Sequence, residues 1–200
     1  MMPSESNPDI INLTARVDMV KPDNIRIATM RCLEMAPAYF WKTPASVTGK
    51  HHPLWALGDG GLIRHTVGAV DMGINMGRYD VDVEPKIYTA IVPALILHDI
   101  TKYGIKDIAE TKESDPNMYW FNNHHVTAAS FCRKIWQLME WNTNETTYYQ
   151  DEMRWIEICD MILGHVGRWG VKPTSKAGWI VHFADLAVST RLPKECSING

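Results

Sequence analysis

Ala94-Leu95-Ile96-Leu97-His98-Asp99-Ile100-Thr101-Lys102-Tyr103-Gly104 is an unbroken apolar run that ends in a histidine and an aspartate side by side. An imidazole and an ionised carboxylate at the buried end of such a run cost several kcal/mol unless a cation or close hydrogen bonds compensate them. A metal ion does this best. The plainer alternative is a helix end that frays into the Tyr103-Gly104 turn. Immediately upstream, the segment from about 84 to 99 is apolar almost all round through Ala90 to Leu97, which predicts a central helix, kinked at Pro93. Neighbouring helical residues point about 100° apart, so His98 and Asp99 can converge on one cation, or the carboxylate can bridge two.

Further outward, residues 62–77 read as a helix apolar on two sides, with His65 on one buried face. The run from Asn122-Asn123-His124-His125 to about Trp141 is helical, and His125 continues its inner stripe of Ala128, Ala129 and Cys132, with His124 beside it. After a polar break at 142–150, a helix from 152 to about His165 closes at Gly164-His165-Val166-Gly167. The last helix, 176–191, carries Asp185 in the stripe Val181, Asp185, Val188, Leu192, and an acid at such a place needs a partner. Nearer the start, a helix is expected over about 24–40 and a long loop over 41–61 that holds His51, His52 and Trp55; residues 107–123 read as a polar surface loop. The expected division is an N-terminal extension (1–22), a helical domain (23–192) and a C-terminal tail (193–200).

Composition narrows the class. The 200 residues, 46% hydrophobic and 22% charged with a net charge of -3, describe one globular domain with a sizeable core. The acidic balance argues against a protein that coats nucleic acid. Four cysteines without C-x-x-C spacing fit reduced thiols in a cytoplasm, and no apolar run reaches the roughly 18 residues of a membrane span, so a cytoplasmic protein is expected. Eight Trp and eleven Met suit a self-associating surface as well as an ordinary helical core.

Each candidate ligand has its own plain reading, such as a hydrogen-bonded core histidine for His65 or a salt-bridged acid for Asp185. Together, five helices present His65, His98, Asp99, His125, His165 and Asp185, all types that bind first-row divalent metals, in the way a helical bundle builds a metal site.

At these residues the chain resembles the HD-domain metal-dependent phosphohydrolases. Their first histidine is matched by His65 in Gly60-Gly61-Leu62-Ile63-Arg64-His65-Thr66, their His-Asp pair by His98-Asp99, and their distal aspartate by Asp185 in His182-Phe183-Ala184-Asp185-Leu186. Members with two metals add two histidines where His125 and His165 stand, with His124 as a rival to His125. The closer likeness is to the HD portion of 3'-to-5' exoribonucleases, through His51-His52-Pro53, Met161-Ile162-Leu163-Gly164-His165 and Val181-His182-Phe183-Ala184-Asp185. Two features depart from it: there is no room for those enzymes' N-terminal OB-fold, and Thr101 stands in place of the usual glycine.

The resemblance implies an all-α, single-domain helical bundle of the HD-domain type with a buried metal site. It implies one or two divalent ions (Mn, Fe, Co, Ni or Zn) that activate water against a phosphoester, a small nucleotide, a cyclic nucleotide or a short nucleic-acid end. His65, His98, Asp99 and Asp185 would hold the first ion; Asp99, His125 and His165 would hold the second. Lys102, one turn past the pair, is placed for a phosphate oxygen, with Arg64 and Arg168 as weaker substrate contacts. His182 is expected behind the ligands or in the core. Two other classes remain: a di-iron oxygenase on the same ligands, and a non-catalytic binding module that keeps the ion for structure.

Overall fold

The structure, a computed structural model, describes residues 7–46, 48, 52–104, 123–141 and 143–190. Among these residues it is all helical, with no strand, and none of its helices is long and apolar enough to cross a membrane. His51, most of the expected 107–123 loop and the 193–200 tail lie outside the described residues.

Helix α1 (Pro8–Val17) begins with proline in its first turn, and the Asn7 side chain accepts a hydrogen bond from the Asp9 amide at 2.9 Å. Its Ile10, Leu13 and Val17 are buried against α3 and α4, described below. Burial of these apolar side chains makes Ile10, Leu13 and Val17, within the stretch expected as an N-terminal extension, part of the core. Helix α2 (Asp23–Glu34) stops short of the expected 40: Pro37 has no N–H to continue it, and the chain passes into a 3-10 turn over Ala38–Trp41.

The segment that follows is tied down at its base rather than open. The Ala45 amide donates to the Ala56 carbonyl, Gly60 to Lys42 and Leu62 to Thr43, around a short 3-10 turn at Leu54–Ala56. Helix α3 (Gly61–Gly77) starts there. A side chain at Gly73 would overlap the buried Leu95 of α4, so this glycine permits the close approach of the two helices that carry His65 and the His-Asp pair.

The expected 84–99 helix is three pieces: a 3-10 turn (Glu84–Lys86), a π-helical turn (Ile87–Ile91) and α4 (Val92–Leu97). The irregularity comes from Pro93, which cannot donate to the carbonyl four residues back, so the turn widens just before it. Every residue from Ala90 to Thr101 is buried, and α4 packs against α1, α2, α3 and the helices over Glu145–Gly164 and Lys176–Ser189. Beyond it, tight turns (Ile100 N–H to Leu97, Lys102 to Asp99, Gly104 to Thr101) end at Gly104, whose φ of 92° lies in the region that favours glycine.

Helix α5 (His124–Leu138) pairs with α6 (Glu145–Gly164). The latter begins earlier than the expected 152, because Asn144 caps it by accepting from the Thr147 amide at 2.9 Å. Trp136 stacks on Trp155 between them at 5.3 Å, and Cys32, Cys132 and Cys159 are buried free thiols. Helix α7 (Lys176–Ser189), capped by Ser175, lies along α3 and buries Val181, Ala184 and Val188.

Candidate metal centre

The His-Asp pair lies where α4 gives way to turns, and every element around it contributes a donor. His65 comes from the first part of α3, His98 and Asp99 from the end of α4, His124 from the first residue of α5, His165 from the residue after α6, and Asp185 from α7. The side chains of His65, His98, Asp99 and His165 are almost wholly buried.

The donors fall into two groups. In the first, His65 Nε2 stands 3.3 Å from His98 Nε2 and 3.1 Å from Asp185 Oδ1. Asp99 Oδ2 closes this group, 3.6 Å from His65 Nε2 and 3.5 Å from His98 Nε2, while His98 Nε2 is 3.5 Å from Asp185 Oδ1. In the second group, Asp99 Oδ1 is 3.3 Å from His124 Nε2 and 3.8 Å from His165 Nε2, and the two imidazole nitrogens are 3.1 Å apart. Ions held about 2.1 Å from nitrogen and oxygen ligands separate neighbouring donors by about 3.0 Å in an octahedron and about 3.4 Å in a tetrahedron. Both groups have that spacing, so His65, His98 and Asp185, and Asp99, His124 and His165, could each hold a metal ion. One carboxylate faces both.

The imidazoles are oriented for the task. His98 Nδ1 lies 2.7 Å from the Leu95 carbonyl and His165 Nδ1 lies 2.6 Å from the Ile162 carbonyl, each three residues back. An Nδ1–H donated to a carbonyl selects the tautomer whose Nε2 lone pair is free to bind a cation. His182 Nδ1 contacts the His165 carbonyl at 2.6 Å, so this histidine supports the backbone of one of these donors. The turn carrying that carbonyl requires glycine at 167, where φ is 57° and the His182 ring fills the space of a side chain.

The electrostatics pull in opposite directions. Burial, reinforced by His98 and His124, pushes His165 down to about 3, and burial lowers His65 as well, which leaves both rings neutral near pH 7. Burial opposes charge on Asp99, but the Lys102 ammonium, His98 and His124 outweigh it and hold the carboxyl well below the usual range. For Asp185, hydrogen bonds from His65 and His98 outweigh burial in the same sense. Those carboxylates in turn overcome burial at His98 and raise it. Ionised carboxylates and imidazole nitrogens are the donor set that N/O-binding first-row divalent metals take.

Two expectations are corrected. His124, and not His125, joins Asp99 and His165. His125 does continue the buried stripe of α5, but its ring lies against Gly170, where an added Cβ would meet Nε2 at 2.7 Å, and its Nδ1 has no hydrogen-bond partner among the described residues. The apolar stripe marks what α5 packs against, whereas the site lies off that stripe at the start of the helix. Arg64 is not placed for substrate, because its guanidinium is committed to the Trp55, Asp59 and Leu57 carbonyls and to Asp9 at 2.7 Å. Arg168 is exposed and lies over the Trp169 ring at 4.4 Å.

Arg64 thus ties the 54–60 segment and α1 to α3. Arg64→Ala is expected to lower stability by about 2 kcal/mol, from several lost charge-assisted hydrogen bonds, and with it the unfolding temperature by about 4 to 8 °C. Substrate KM should stay unchanged; a raised KM without loss of stability would restore Arg64 to the substrate.

Lys102 does reach the site. Its Nζ is 2.5 Å from Asp99 Oδ2, its side chain is only 18% exposed, and Asp99 with Asp185 overcomes burial to raise its pKa. The turn beneath it is clamped to the first 3-10 turn: the Tyr39 hydroxyl donates to the Gly104 carbonyl and accepts from the Tyr103 amide, and the Tyr103 hydroxyl donates to the Pro44 carbonyl. His52 also borders the centre, its ring edge-on to His65 at 5.1 Å, and burial lowers its pKa to about 4. The position of His52 was legible only as part of a loop, since loop residues carry no periodicity. The chain matches no family model, no curated protein and no solved structure.

Proposed function

We propose that this chain is a metal-dependent phosphohydrolase of the HD type, which cleaves a phosphoester in a nucleotide or a short nucleic-acid end. The observation that carries the reading is the Asp99 carboxylate, which turns Oδ2 to one donor group and Oδ1 to the other. Such an arrangement suits two ions held side by side. Divalent cations supply acidified water and polarisation of a phosphoryl oxygen, the two needs of phosphoester hydrolysis. In this assignment His65, His98, Asp185 and Asp99 hold one ion, and Asp99, His124 and His165 the other.

Lys102 supplies what the ligands lack, a positive donor beside the centre. An ammonium has three N–H groups, of which Asp99 occupies one, so two can meet phosphate oxygens. Lys102→Ala is expected to raise KM for the phosphoester about tenfold, with metal content unchanged; an unchanged KM would confine Lys102 to pairing with Asp99. Burial of the remaining rings keeps bulk water from competing at the donors.

The test of the whole reading is elemental analysis of the purified protein, followed by phosphate release from a panel of nucleotides and short oligonucleotides with Mn, Fe, Co, Ni or Zn added. Two ions per chain and hydrolysis of a panel member support the reading. Metal bound with no member hydrolysed overturns it as a phosphohydrolase, and no metal bound overturns it altogether.

A further inference from the structure

Asp185 has a neighbour that the metal reading does not use. Ser189, one helical turn on in α7, donates its hydroxyl to Asp185 Oδ1, the ligand oxygen itself, at 3.3 Å. The other partner of that hydroxyl is His52 Nε2, also at 3.3 Å. The order of donors follows from counting protons. An ionised carboxylate has none to give, and a serine hydroxyl has one, so Ser189 gives its proton to Asp185 and accepts from His52 Nε2–H. His52 Nδ1 is then bare, and it makes no hydrogen bond among the described residues. The same His52 ring stands edge-on to His65, so one side chain from outside the helices touches one ligand of the first group and reaches another through a single hydroxyl.

We propose that His52 and Ser189 are positioning residues which together orient Asp185 Oδ1 and the His65 ring for the first ion. The inference rests on the reading of the two donor groups as a metal centre. Asp185 needs such support because it is the least enclosed donor of the first group: its side chain is 21% exposed, against 3% for Asp99 and 0% for His65 and His98. A carboxylate free to rotate presents its ligand oxygen only part of the time. Hydrogen bonds from behind a ligand typically change metal affinity by about 10- to 100-fold. The second donor group shares neither residue, so the effect should be confined to one ion.

The experiment is a competitive titration of Zn and Mn against a chromophoric chelator, resolved into two binding steps, on the full chain and on four variants. Ser189→Ala and His52→Phe should weaken one step about 10- to 100-fold and leave the other as in the parent. Ser189→Thr keeps the hydroxyl and His52→Gln keeps an N–H near the Nε2 position, so both should return affinity to near the parent value. Circular dichroism and melting on the same samples establish that each variant is folded. Parent affinity at both steps in Ser189→Ala and His52→Phe would overturn the relay while leaving the metal centre intact. Equal weakening of both steps, or no rescue by Thr and Gln, would overturn it as well. A parent chain that binds no ion would overturn the metal reading and the relay together.

Discussion

Asp99→Ala is expected to remove both ions from the protein and to cut turnover at least about a thousandfold, a rise in barrier of about 4 kcal/mol. No other ligand should have this reach. Asp99 Oδ2 lies within 3.6 Å of both imidazole donors of the first group, and Oδ1 lies within 3.8 Å of both in the second. Deleting one carboxylate therefore takes a donor from each ion, whereas His65→Ala or His165→Ala takes one from a single ion, and His125→Ala takes none. The variant should remain folded, because Lys102 retains enough exposure to carry its charge to solvent once its partner is gone. Metal per chain after gel filtration, with phosphate release on the same sample, reads the result. Two ions and full rate in Asp99→Ala would end the assignment of this carboxylate as a bridge.

Chelation gives the second large effect. Stripping metal from the native protein is expected to lower its unfolding temperature by about 8 to 16 °C. A ligand present at about a thousand times its dissociation constant stabilises by about 4 kcal/mol, and each kcal/mol moves the midpoint of a chain this long by about 2 to 4 °C. The structure gives a reason for dependence on a cation. Two pairs of imidazole nitrogens approach to 3.3 and 3.1 Å in a buried site beside two carboxylates, and among the described residues the Lys102 ammonium pairs with Asp99. Scanning calorimetry with and without a chelator measures the shift, and adding back Zn or Mn should reverse it. A midpoint indifferent to both treatments would show that these groups need no cation.

Much of this centre could be read from the chain because its residues break a pattern. His65, His98 and Asp185 each interrupt an apolar helical face, and the structure brings these three within one donor sphere. His165 stood out by its place between glycines at a helix end. His124 was harder, since periodicity reports which side of a helix is buried by other helices, and a ligand at the first residue of α5 answers to a different neighbour. Arg64 showed the opposite error: a cation next to a ligand in sequence points about 100° away from it on the helix, and here that direction leads to Asp9 and three carbonyls. His52 lies in irregular chain without periodicity and stood out only through the His51-His52-Pro53 resemblance, while Ser189, an ordinary polar residue near a helix end, carried no signal. The π turn before Pro93 was visible as a kink and invisible as a type, which depends on where the missing donor is absorbed.

Helix α1 has a consequence for the order in which the chain folds. Its apolar face is covered by α3 and α4, elements that begin only at Gly61 and Val92, and its ion pairs to Asp71 and Arg64 also lie in α3. During synthesis, Ile10, Leu13 and Val17 leave the ribosome well before anything can cover them. Until α3 and α4 emerge, this segment is an exposed amphipathic stretch of the kind that chaperones hold. Its docking closes a long loop, so when the whole chain refolds from solution it is slower than the local pairing of α5 with α6.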